Sequence, residues 1–175
     1  MKRIGFLLSL MFLAILPWST LACEPVAADK YYTVGDEIRF YDGVIKIHGI
    51  QYMEIYGSKV IAVDVSVRNI GESEIKINDQ TNVKIYDQDG YGLRMSPNPK
   101  ASGDRLSTNL RPGRTIRAEM AFHVGEESEE YIFDYRYRDE DSFHENVISF
   151  YLGSPDMSDE DRRAFIDAHN ERFGH

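Results

Sequence analysis

The six residues Asp87-Gln88-Asp89-Gly90-Tyr91-Gly92 carry the spacing with which a calcium loop begins: two carboxylates two positions apart, then a glycine at the turn. A complete loop needs further oxygen ligands and usually a bidentate Glu near the twelfth position. Counted from Asp87 that position is Asn98, preceded by Ser96 and Pro97, so the stretch reads as a tight hairpin and not as a metal site. His48, His123, His144, His169 and His175 are scattered, with no His-x-x-x-His pair, and zinc requires clustered ligands. There is no Gly-x-Ser-x-Gly elbow, phosphate loop or dinucleotide fingerprint. Carboxylates are plentiful, yet no spacing singles out a catalytic pair. The expectation is a non-enzyme with no cofactor and no metal.

Cys23, the single cysteine, poses a different question. It has no partner for an internal disulfide, and one thiol cannot build a metal site. Upstream of it lie Lys2 and Arg3 and the mostly apolar residues 4–18. Spanning a bilayer takes roughly 20 apolar residues, so this run is too short; a positive start, a short apolar middle and small residues at the exit describe an export signal. Thr20-Leu21-Ala22-Cys23 resembles a bacterial lipobox, in which the cysteine becomes the acylated (palmitate-type) first residue of the mature chain. Thr20 stands where leucine is usual. The alternative is ordinary cleavage after Ala22, leaving an unpaired thiol at the terminus of a protein in an oxidising compartment.

The chain of 175 residues carries a formal net charge of -9, and losing Lys2 and Arg3 with the signal takes it to -11. Such an acidic chain is disfavoured at nucleic-acid phosphates and gains nothing in bulk from anionic lipid. About 145 residues follow Lys30, enough for one domain with a real core. The expected organisation is a signal peptide at residues 1–22, a tether at 23–30, a sandwich at 31–152 and a helical extension at 153–175.

Alternation of apolar and polar residues predicts the elements that would position any site. Ile61, Val63, Val65 and Val67 share one face of a strand, with Ala62, Asp64, Ser66 and Arg68 on the other. Ile116, Ala118, Met120 and Phe122 repeat the pattern against Arg117, Glu119 and His123, as do Tyr131, Phe133, Tyr135 and Tyr137 against Ile132, Asp134, Arg136 and Arg138. Shorter strands are expected at residues 37–40, 44–51, 74–78, 83–86 and 147–152. Turns fall at Asp42-Gly43, Gly71-Glu72-Ser73, Asp89-Gly90 and Pro112-Gly113, and Asp-Gly between apolar runs signals a hairpin. From Ser158 onward an amphipathic helix places Phe165, Ile166, His169 and Phe173 on one stripe, opposite Glu160, Arg163, Asp167 and Glu171. Residues 96–109 form the longest expected structureless connection; it holds Lys100 and Arg105, candidate contacts for a partner.

In order, Val34-Gly35-Asp36, the valine-rich strand ending at Asn69, the Asp87 to Gly90 hairpin, the Leu110 to Gly113 turn and the strand ending in Met120 to Phe122 form a pattern. It resembles the telokin-like, immunoglobulin-like bacterial lipoprotein domain called domain of unknown function 4352, over roughly residues 31–135. The resemblance implies an all-β, immunoglobulin-like antiparallel sandwich, lipid-anchored or secreted, and implies no activity. The functional expectation is an exported, lipid-anchored, non-catalytic binding or accessory module of the bacterial cell envelope, with an unknown protein partner and no nucleic acid. The alternatives are a small-ligand carrier in the periplasm or outside the cell, which needs an apolar pocket between the sheets, and a hydrolase.

Overall fold

In the computed structural model, which describes residues 30–96, 105–125, 129–138 and 145–174, two four-stranded sheets face one another. The strands are β1 (Tyr31–Tyr32), β2 (Glu37–Phe40), β3 (Gly43–Ile55), β4 (Ser58–Asn69) and β5 (Ile75–Ile77). After the short helix α1 (Asp79–Asn82) come β6 (Val83–Asp87), β7 (Thr108–Leu110), β8 (Thr115–His123), β9 (Tyr131–Tyr137) and β10 (Asn146–Gly153), and α2 (Asp159–Phe173) follows. One sheet has the order β1-β10-β9-β6 and the other β2-β3-β4-β8, while β5 and β7 pair as a separate ribbon. The protein is thus an immunoglobulin-like β-sandwich with one C-terminal helix. Pairing is antiparallel except between β1 and β10, which run parallel.

The core follows from the period-2 pattern. Ile61, Val63, Val65 and Val67 of β4 are buried against Phe133 and Tyr135 of β9 and Phe150 of β10, with Ala118, Met120 and Phe122 of β8 completing the layer. Large side chains therefore fill the space between the sheets, which gives no support to an apolar ligand cavity there. At one end of the sandwich Asn69 is fully buried. Its amide donates to Ser73 O and Leu110 O, both at 2.7 Å, and accepts from Gly71 N at 2.9 Å, so it ties the exit of β4 to the turn before β8.

Several boundaries differ from the sequence expectation. Strand β3 runs to Ile55, because the turn that ends it is Tyr56-Gly57, with φ of 49° and 78°. Positive φ at a tyrosine is uncommon, so Gly57 is the one residue of the turn that announces it. The expected structureless stretch 96–109 is ordered at both described ends. Ser96 N donates to Ala121 O at 2.7 Å, Leu106 is buried, and Thr108–Leu110 pairs with β5. Strand β1 was also unforeseen; two residues are too few to show a period.

Candidate functional site

The C-terminal helix and the first strand meet in the most elaborated seam of the described surface. Helix α2 starts where Ser158 Oγ accepts from Asp161 N at 3.1 Å and ends at Gly174 in the left-handed region, the capping its sequence calls for. Its buried residues are Ile166 and Arg162. Arg162, only 4% exposed, donates from Nε to Leu152 O at 2.7 Å, bridges to Asp159 and reaches Met157 O at 3.4 Å. This side chain needs the room beside Gly153, where an added Cβ would lie 2.7 Å from Met157 Sδ and 3.3 Å from Arg162 Nε. A buried guanidinium on the packing face is invisible to hydrophobic periodicity, which assigns arginine to solvent.

Asn170 makes the second attachment. Its Oδ1 accepts from Tyr31 N at 3.0 Å, and its Nδ2 donates to Tyr31 O at 2.9 Å. A side-chain amide here takes the place of a neighbouring strand, satisfying both backbone groups of one residue at a sheet edge. Aromatic rings line the seam: His169 lies 4.4 Å from Tyr31, and Phe165 stacks on Tyr151 at 4.3 Å. The expected stripe thus divides. Ile166 is buried, Phe165 and His169 cover rings of the sheet, and Phe173 is 51% exposed beside His169. Two adjoining grooves follow the seam. One, of about 630 Å³, separates residues 30–38 from Arg163, Ile166 and Asn170; the other, of about 520 Å³, lies between Thr33, Val34 and the first turns of α2. Their walls carry Asp36, Glu37, Asp167 and Glu171 against Lys30 and Arg163, over an apolar floor of Ile38 and Ile166.

The residues singled out from sequence are not gathered there. Cys23 and Lys100 lie outside the described residues. Arg105 is 70% exposed at its side chain and pairs through Nε with the buried Asp79 carboxylate at 3.3 Å, where Ser107 Oγ also donates. Asp87 directs Oδ1 at the backbone of its own turn, accepting from Asp89 N at 3.1 Å and Tyr91 N at 2.8 Å, with Gly90 at φ 82°. Its carboxylate shapes the hairpin. Among the described residues no three His, Cys, Asp or Glu side chains stand together to hold a metal ion.

Sequence reading missed one polar pair. The register of β3 and β4 shifts between Ile47 and Gly49, making His48 the extra residue of a bulge, and its Nε2 lies 2.8 Å from Ser66 Oγ. Bulges re-aim side chains and often sit beside functional sites. Burial, with Arg117 nearby, pushes the His48 pKa down. Asp64, the adjacent carboxylate, is instead engaged by Arg117, whose Nε donates to Oδ1 at 2.8 Å and which holds Asp64 well below the usual carboxylate range. The pair stands on the open outer face of the sheet, and only an offset of one residue between strands brings it together.

The sequence matches the model of Domain of unknown function (DUF4352) over residues 32–148. No curated protein matches it. Among solved structures it is similar to the yjhA protein of Bacillus subtilis, with a TM-score of 0.53 at 13% identity over 68% of this chain and 98% of that one. A functionally unknown Listeria monocytogenes protein gives a TM-score of 0.55 at 13% identity over 68% of this chain and 82% of that one. A candidate lipoprotein of Bacillus subtilis, ycdA, gives 0.56 at 16% identity; 78% of this chain corresponds to 42% of that one. These likenesses show the sandwich fold.

Proposed function

The chain belongs to the DUF4352 family, and we propose that it is an exported, lipid-anchored module of the bacterial cell envelope that acts by contact. Residues 1–22 serve as the export signal, Cys23 takes the lipid, 23–30 form the tether, 31–152 the sandwich and 153–175 the helical extension. The observation that carries the reading is the sequence at the N-terminus: a short apolar run closing on Thr20-Leu21-Ala22-Cys23, with no second cysteine for the thiol to pair with. A further observation supports it: the candidate lipoprotein ycdA shares the fold.

Action by contact is supported by grooves lined with opposed charges and by the two cations between β6 and β7. Lys100 and Arg105 meet an acidic partner in this reading, and Arg105 holds Asp79 as well. The test spares that internal pair. Envelope partners are captured by crosslinking to the anchored wild type and to Lys100→Glu. Charge complementarity acts mainly on association rate, so capture by the variant should be slower and less complete. Equal capture would remove the loop from the proposal, and substrate turnover by the purified protein would remove the contact-module reading itself.

A further inference from the structure

The outer edge of β10 is covered by very little strand. Of its eight residues, Ser149 and Phe150 alone are paired with β1, as partners of Tyr31 and Tyr32. A two-residue edge strand frays readily, because few hydrogen bonds hold it. Here α2 compensates at two points eight residues apart: Arg162 takes the Leu152 carbonyl, and Asn170 takes both backbone groups of Tyr31. The ring of His169 joins the two elements at 4.4 Å from Tyr31, while Tyr31 and Phe165 both rest on Tyr151 of β10. Past the strand, the turn stays with the sandwich. Gly35 N donates to Ile47 O at 2.8 Å, and Thr33 N to Asp36 Oδ2 at 3.1 Å.

We propose that β1 and α2 form a single strap over the edge of β10, hinged at Thr33 and after Gly153, which opens as a unit while the sandwich stays folded. Opening exposes the backbone of β10 along that edge. Because the tether joins the strap at Lys30, the anchored end and the C-terminal helix are coupled. Whatever favours the open helix also frees the first strand, and the reverse holds by linkage.

Hydrogen exchange on full-length mature protein carrying Cys23→Ser tests this without dependence on lipid or partner. In the parent protein the Tyr31 amide and the amides of residues 166–170 should exchange at a common rate, faster than Val63, Val65 and Val67 of β4. Asn170→Ala removes two hydrogen bonds and should speed both strap regions about tenfold, leaving β4 unchanged. Asn170→Asp, which keeps the acceptor for Tyr31 N and loses the donor, should fall between. Acceleration of β4 to the same degree would show that the helix belongs to the global folding unit. Acceleration of Tyr31 alone, or of neither region, would show that the two elements do not move together. Either result overturns the strap.

Discussion

Replacing Asn69 with alanine should cost this domain about 1–4 kcal/mol, and the figure follows from three hydrogen bonds of unequal worth. The bond to Leu110 O matters most. That carbonyl belongs to a buried residue, and a buried acceptor stripped of its donor costs about 1–3 kcal/mol. The bond to Ser73 O lies in a more open turn where water can substitute, so its loss counts for about 1 kcal/mol or less. Gly71 N retains a second acceptor in Asp42 O at 3.1 Å and contributes little. For a domain of this size the sum lowers Tm by roughly 3–12 °C. Asn69→Asp should be worse, since it keeps the acceptor, loses both donors and sets a carboxylate against two carbonyls. Urea denaturation followed by far-UV circular dichroism measures the effect. A loss below about 0.5 kcal/mol in Asn69→Ala would refute the claim that this amide ties the end of β4 to the turn before β8.

Asp134 is pushed up from the usual carboxylate range by burial, partly offset by Ser149 Oγ donating at 2.7 Å and by Arg136. A raised folded-state pKa means that its contribution is most favourable at low pH and is lost as pH rises through that value. Asp134→Asn should therefore gain on wild type between pH 4 and pH 7; denaturation at both ends of the range reads the difference, and a constant or falling difference would contradict the sign. For the hairpin, millimolar calcium should leave Tm unchanged, since Asp87 Oδ1 is occupied by Asp89 N and Tyr91 N. A calcium-dependent rise abolished by Asp89→Asn would restore the metal reading.

Period-2 alternation made the sandwich legible, because burying one face of β4, β8 and β9 leaves a signature that depends on no other strand. A 3.6-residue apolar stripe and the capping spacing placed α2 and its cap at Ser158. It could not place β1, whose two residues acquire meaning only beside Ser149 and Phe150. Arg162 and Asn170 were hidden for a related reason. Each is polar on a helix read by its apolar stripe, and each works through a backbone group distant in sequence, Leu152 O or Tyr31. The His48 and Ser66 pair needed a bulge that shifts register by one residue, which no local pattern encodes. Arg105 was recognised as a loop cation, but its bond to the buried Asp79 crosses 26 residues. Spacing along the chain carried the scaffold, and contacts between distant segments carried the seam.

The central claim, an envelope module held by lipid on Cys23, is tested most directly by intact mass spectrometry of the native protein, paired with fractionation. The predicted species begins at Cys23, carries the added mass of acyl chains and sediments with membranes. Cys23→Ser should move the protein to the soluble fraction, because acyl chains supply about 0.8 kcal/mol per buried methylene and the acidic chain offers no bulk electrostatic substitute. A native chain starting at Cys23 with an unmodified thiol, soluble before any substitution, would contradict the claim.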